Sequence, residues 1–140
     1  MIEHVLVPMD ESPMARRALA FALDAHPEAA VTVLFVVDYV EESYGAEMLV
    51  GPERLRERAD ERAERVFDRA RDTAAERDAS VETRTEYGDP ARVVSEYADE
   101  HDVDLIVIGS HGRSLVSRVL LGDVADTVVR RAPVPVTVVR

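Results

Sequence analysis

Apolar residues along this 140-residue chain alternate between short unbroken runs and stripes at helical spacing. His4 to Met9 (HVLVPM) reads as a buried strand. Ser12-Pro13 follows as a helix N-cap with proline at the first helical position, and Ala15, Ala18, Leu19, Ala22 and Leu23 make one apolar face. Ala30 to Val37 (AVTVLFVV) predicts a second buried strand. Residues 38–51 predict a polar loop carrying Tyr39 and Tyr44 and ending in Gly51. A long charged helix begins near Pro52, with Leu55, Ala59, Ala63, Val66, Phe67, Ala70 and Ala74 inward. Its outer face carries pairs such as Glu61–Arg65 and Asp68–Arg71, as a solvated face does.

The second half repeats the device. Val81 to Glu86 (VETRTE) alternates branched and charged residues, which predicts a protected edge strand. Gly88-Asp89-Pro90 gives turn, cap and proline, and Val93, Val94, Tyr97 and Ala98 define a third helix. Asp104 to Ile108 (DLIVI) is a fourth buried strand. A loop with Gly109, Gly112 and Gly122 leads to a last helix, with Val124, Ala125, Val128 and Val129 expected inward. Val134 to Val139 is the fifth strand, and Pro135 inside it suits a sheet edge.

Five strands alternating with four helices imply parallel pairing through right-handed crossovers. Runs such as VLFVV suit a sheet covered on both faces. The expected fold is one α/β domain over residues 1–140, an open doubly wound five-stranded sheet of Rossmann or flavodoxin type, order 3-2-1-4-5. Ligands of such sheets bind beyond the carboxyl ends of the strands, where the winding reverses.

Composition narrows the function. No cysteine is present, which excludes disulfides, thiolate nucleophiles and cysteine zinc sites. No apolar run approaches the ~20 residues that span a bilayer. The N-terminus opens directly into a strand with no signal-peptide pattern, so a cytoplasmic protein is expected. With 28 acidic against 17 basic residues the net charge is −11, which argues against a nucleic-acid partner. Every basic residue other than histidine is arginine.

The chemistry concentrates in GSHGRSLVSRVLLGD, Gly109 to Asp123. Its glycines can take positive φ and bring backbone N–H groups close to an anion, or can simply mark sharp turns. The next helix starts near Gly122–Asp123 with its N-terminus toward the same place, and Arg113, Ser114 and Ser117 offer donors to phosphate. His4, His26, His101 and His111 show no paired metal spacing. There is no G-x-S-x-G elbow, no P-loop, and no G-x-G-x-x-G in the first turn, PMDESP. No catalytic residues are assigned.

Gly109-x2-Gly112-x9-Gly122 resembles the nucleotide loop of the universal stress protein family, in its ATP-binding branch. The likeness runs through the chain, from VLVPMDESPMARRAL and VLFVVD to IVIGSHGRS and LLGDVADTVVRRAPVPVTVV. It implies that Asp10 holds the ribose, Pro8 and Met9 line the base, and Val36 meets adenine through its backbone. It also implies that Gly109, Gly112, Arg113 and Gly122 surround the phosphates, with a backbone contact from Val124. The ligand implied is ATP, ADP or AMP, with Mg or Mn as its companion and slow ATP hydrolysis at most. A homodimer through strand five (Val134, Val136, Val138) follows from the same resemblance. The alternative is a same-fold interaction dimer that binds no nucleotide. Asp10 also has a second reading as a turn residue bonding its own backbone.

Asp123 departs from the family's pattern, which has Ser or Thr after the third glycine. It suits a helix N-cap but is unfavourable beside phosphate, where two unit charges ~4 Å apart repel by about 4 kcal/mol at an effective dielectric near 20.

A charge of −11 destabilises the compact state by self-repulsion unless salt screens it, which points to a salt-rich cytoplasm as in a halophile. The melting temperature is therefore expected to rise from dilute buffer to molar KCl. A maximum in dilute buffer would leave only an acidic surface with arginine-biased codons.

Overall fold

A computed structural model describes residues 1–38, 51–110 and 123–140. In chain order these form β1 (His4–Pro8), α1 (Pro13–Ala25), β2 (Ala30–Val37), α2 (Pro52–Ala75) and β3 (Glu82–Tyr87). They continue as α3 (Pro90–Glu100), β4 (Leu105–Gly109), α4 (Asp123–Arg131) and β5 (Val136–Val139). The strands are parallel and ordered β3-β2-β1-β4-β5, the expected sheet.

Alternation along the strands splits the apolar residues between two cores. Val5, Val7, Val31, Val33, Phe35, Val37, Leu105 and Val107 pack with α1 and α2. Leu6, Leu34, Ile106 and Ile108 pack with α3 and α4 on the other face. Two-sided burial explains why these strands read as unbroken apolar runs. Each fully buried Val, Leu or Phe stabilises by about 1.5–3 kcal/mol relative to exposure.

Two of the expected caps form. Ser12 Oγ accepts the Ala15 N–H at 3.1 Å, and Asp89 accepts the Arg92 N–H at 3.1 Å. Gly88 stands at φ 138°, where a side chain would be strained, and its N–H closes the turn on the Val37 carbonyl at 3.0 Å. At the amino end of the sheet, Asp104 accepts the backbone N–H groups of Glu3 and His4 at 2.9 and 3.0 Å. Those two bonds hold its carboxyl below the usual carboxylate range. Buried Thr32 is satisfied by His4 Nε2 at 2.9 Å.

Two expectations fail. Val124 and Val129 are 39% and 44% exposed, and the inward residues of α4 are Ala125 and Val128. With Ala132 these centre a narrow stripe, and at 3.6 residues per turn both valines lie about 70° to either side of it. Pro135 lies outside β5, immediately before it, where its carbonyl accepts the Ile106 N–H at 3.0 Å. β3 and β5 do form the two edges. Strand ends differ by one or two residues elsewhere, as with β1, which stops at Pro8 rather than Met9.

Candidate functional site

The carboxyl end of the sheet is notched at its centre, and Pro8 makes the notch. The β1–β4 register ends at Leu6↔Ile106. The next rung needs an N–H from residue 8, and proline has none. On the other side the β1–β2 pairing ends at Pro8↔Leu34, closed by Met9 N–H to the Leu34 carbonyl at 2.9 Å. β2 then runs on through Phe35, Val36 and Val37, paired only with β3.

Backbone groups of successive strand residues turn to opposite neighbours. Leu34 faces β1, through its bond from Met9, and Val37 faces β3, through its bond from Gly88. The same alternation turns the N–H and C=O of Val36 toward the space β1 has left. Ile106 and Ser110 face β5, donating to Pro135 and Val139 at 3.0 and 2.8 Å, so Gly109 faces β1. Val36 and Gly109 thus aim main-chain groups at the notch from its two walls.

Met9, 5% exposed, and Asp10 follow Pro8 directly at its floor. Asp10 is partly buried, and its Oδ1 accepts the Ser12 N–H at 2.8 Å. The turn-forming reading of Asp10 is therefore correct. It does not exhaust the carboxylate, whose two oxygens accept about four hydrogen bonds.

Gly109 does not serve by positive φ, which among the described glycines belongs to Gly88 alone. A Cβ on Gly109 would lie 2.9 Å from the Met14 carbonyl oxygen, so glycine there lets β4 meet the first turn of α1. Asp123 is the first helical residue of α4, one position past the N-cap that the sequence suggested, and its carbonyl accepts the Thr127 hydroxyl at 2.9 Å. Val124 follows, partly exposed. Gly112, Arg113 and Gly122 lie outside the described residues, as do His111, Ser114, Ser117, Tyr39 and Tyr44. The structure thus gathers Pro8, Met9, Asp10, Val36 and Gly109 at one end of three adjacent strands.

Sequence reading overlooked Glu11. Its carboxylate meets Arg62 Nε at 3.3 Å and Arg65 Nε at 3.4 Å, both on α2. The Arg62 guanidinium also lies over the Phe35 ring, 5.6 Å from its centre. Partners more than 50 residues apart leave no periodic trace, although a lone Glu between Asp10 and a capping Ser was visible. Among the described residues no group of three or more His, Asp or Glu is placed to hold a metal ion.

An open doubly wound parallel sheet of order 3-2-1-4-5, with a gap beside β1 at its switch point, defines a small α/β domain of Rossmann-like topology. The chain belongs to the universal stress protein family, whose sequence profile matches residues 1–140. It is 30% identical over 138 residues to Universal stress protein MJ0531 of Methanocaldococcus jannaschii, covering 97% of this chain and 81% of that protein. The family member YxiE of Bacillus subtilis is 30% identical over 155 residues, with both chains fully covered. The solved universal stress protein UspA from Lactobacillus plantarum matches with a TM-score of 0.81 at 32% identity, covering 99% of this chain and 98% of that one.

Proposed function

We propose that this protein binds an adenine nucleotide in the notch above Pro8 and acts as a homodimeric regulator in the cytoplasm. The observation that carries the reading is the main-chain edge of Val36, turned into the space left by β1 and adjoining Asp10. An adenine edge carries both donor and acceptor, which one strand residue's C=O and N–H complement. A carboxylate at the floor suits a vicinal diol. The fold's solved members include a universal stress protein with cAMP, one from Archaeoglobus fulgidus with dAMP, and one from Arabidopsis thaliana with AMP. At 24%, 21% and 18% identity these share the fold, so the proposal rests on the notch in this chain.

Asp10→Asn separates the two roles of Asp10. Asparagine keeps an acceptor for the Ser12 N–H but replaces the second oxygen with a donor. Calorimetric titration should show AMP and ATP both weakened by about 1.5–3 kcal/mol, tenfold or more, with thermal stability nearly unchanged. Unchanged affinity would leave Asp10 a turn residue only. If the wild-type chain binds neither AMP nor ATP, the alternative of an interaction dimer without nucleotide takes over.

Asp123 governs the phosphate end of the proposal. A carboxylate at the start of α4 competes with phosphate for the helix's free N–H groups and repels it increasingly from AMP to ATP. ATP binding is expected to need Mg, Mn or high salt. Asp123→Ser should raise ATP affinity more than AMP affinity. An unchanged ATP-to-AMP ratio would mean that Asp123 does not face the phosphates.

The dimer reading is supported by the open edge of β5, whose Val136 to Val139 are all only half-buried, beside the exposed Val124 and Val129 of α4. An uncharged rim of this kind lacks the usual protection against pairing. Sizing at micromolar protein and high salt should give a dimer, and Val138→Asp should dissociate or unfold it. A wild-type monomer would rule this interface out.

A further inference from the structure

The loop that carries Asp10 is tied to a helix distant in sequence. Glu11 follows Asp10 and precedes Ser12, the N-cap of α1. Its two carboxylate oxygens are divided between Arg62 and Arg65, with a further bond from Arg65 Nη2 to Glu11 Oε1 at 3.4 Å. Arg62 is the anchored partner. Its side chain is 18% exposed and lies over Phe35, which is 1% exposed and immediately precedes Val36. One guanidinium therefore links the floor of the notch to one of its walls: the turn after β1 through Glu11, and the top of β2 through Phe35.

We propose that Glu11, with Arg62 and Arg65, forms a brace that fixes the Asp10 turn relative to Val36. Glu11 is thus a positioning residue for the nucleotide site, and this inference rests on the nucleotide reading above. A single surface ion pair has little effect, because side-chain freedom and solvent screening cancel most of its attraction. Here three features combine: a shared carboxylate, a planar fork with several donors, and a cation–π contact on a buried ring. Their effect falls on local order rather than on the global fold, whose two cores do not depend on Glu11. The Ser12 N–H, bonded to Asp10 Oδ1, reports on that order directly. Coupling of this kind is reciprocal, so ligand in the notch stiffens α2 as the brace stiffens the notch.

The test has two arms, one of which needs no nucleotide. In the free protein, amide hydrogen exchange at Ser12 and Ala15 should quicken at least ~threefold in Glu11→Gln and in the double variant Arg62→Gln/Arg65→Gln. Exchange in β4 should stay as it was. In the second arm, Glu11→Gln should weaken AMP and ATP by the same factor, about fivefold. AMP should slow exchange across residues 59–66 of α2 in the wild type but not in Glu11→Gln. Unaltered Ser12 and Ala15 exchange in both variants overturns the brace. If Asp10→Asn loses affinity while Glu11→Gln keeps it, the positioning role falls and the nucleotide reading stands. If the wild type binds no AMP, the nucleotide reading falls, and the exchange arm still decides whether α2 holds the turn.

Discussion

The site end of this molecule depends on one missing hydrogen-bond donor. A five-stranded parallel sheet pairs every interior N–H and C=O, and a ligand can read its main chain only where a strand stops early. Pro8 ends β1 on the β4 side because it has no N–H to give, while β2 continues for three more residues beside it. The result is a gap bounded by main chain on two sides, at the centre of the sheet where the crossovers diverge. Moving that proline two residues earlier or later would relocate the gap relative to Asp10 and Val36. If nucleotide binds there, the residue that breaks the pairing would also set the position of the site.

The rest of the fold holds the rim of that gap still. Two apolar layers fix the strands, and Gly109 allows β4 to lie against the backbone of Met14 at the start of α1. Ser12 and Pro13 begin α1 directly after the Asp10 turn, so the cap and the turn share one short segment. A bulkier residue at 109 would push α1 outward and carry the Asp10 turn with it. Packing and polar chemistry meet within a few residues here, so the end of β1, the Asp10 turn and the start of α1 are positioned together.

Much of this was legible in the chain. Two-sided burial leaves unbroken runs such as VLFVV, and Ser12-Pro13 and Asp89-Pro90 mark helix starts, so element order and sheet topology followed from local patterns. The roles of Asp10 and Val36 in a site rest on resemblance, and the ladder alternation adds that the main chain of Val36 faces the gap beside β1. Three things were hidden. The inward stripe of α4 depends on how a nine-residue helix docks, which the valines at 124 and 129 could not reveal. The need for glycine at 109 is set by a neighbour nearly a hundred residues away. The Glu11 partners lie on a helix whose arginines all look alike in sequence. Each is a tertiary fact with no local periodicity.

The strongly acidic composition bears on how such a site can work. With a net charge of −11, the field of the whole protein opposes any phosphate-bearing ligand, most strongly where salt is low. Carboxylates follow β1 at Asp10 and stand in the first turn of α4 at Asp123 and Asp126, while Arg130 and Arg131 stand in its last turn. Arg62 and Arg65, the cations beside the Asp10 turn, are engaged with Glu11. On the reading proposed here, selectivity must then come from main-chain and ribose contacts at the base end, which no bulk field screens or reverses. The phosphates would contribute mainly through the amides of the α4 terminus. On that reading the site would distinguish adenosine from other nucleosides better than it would distinguish three phosphates from one. Ionic strength would tune how tightly it holds the ligand without altering which base it accepts.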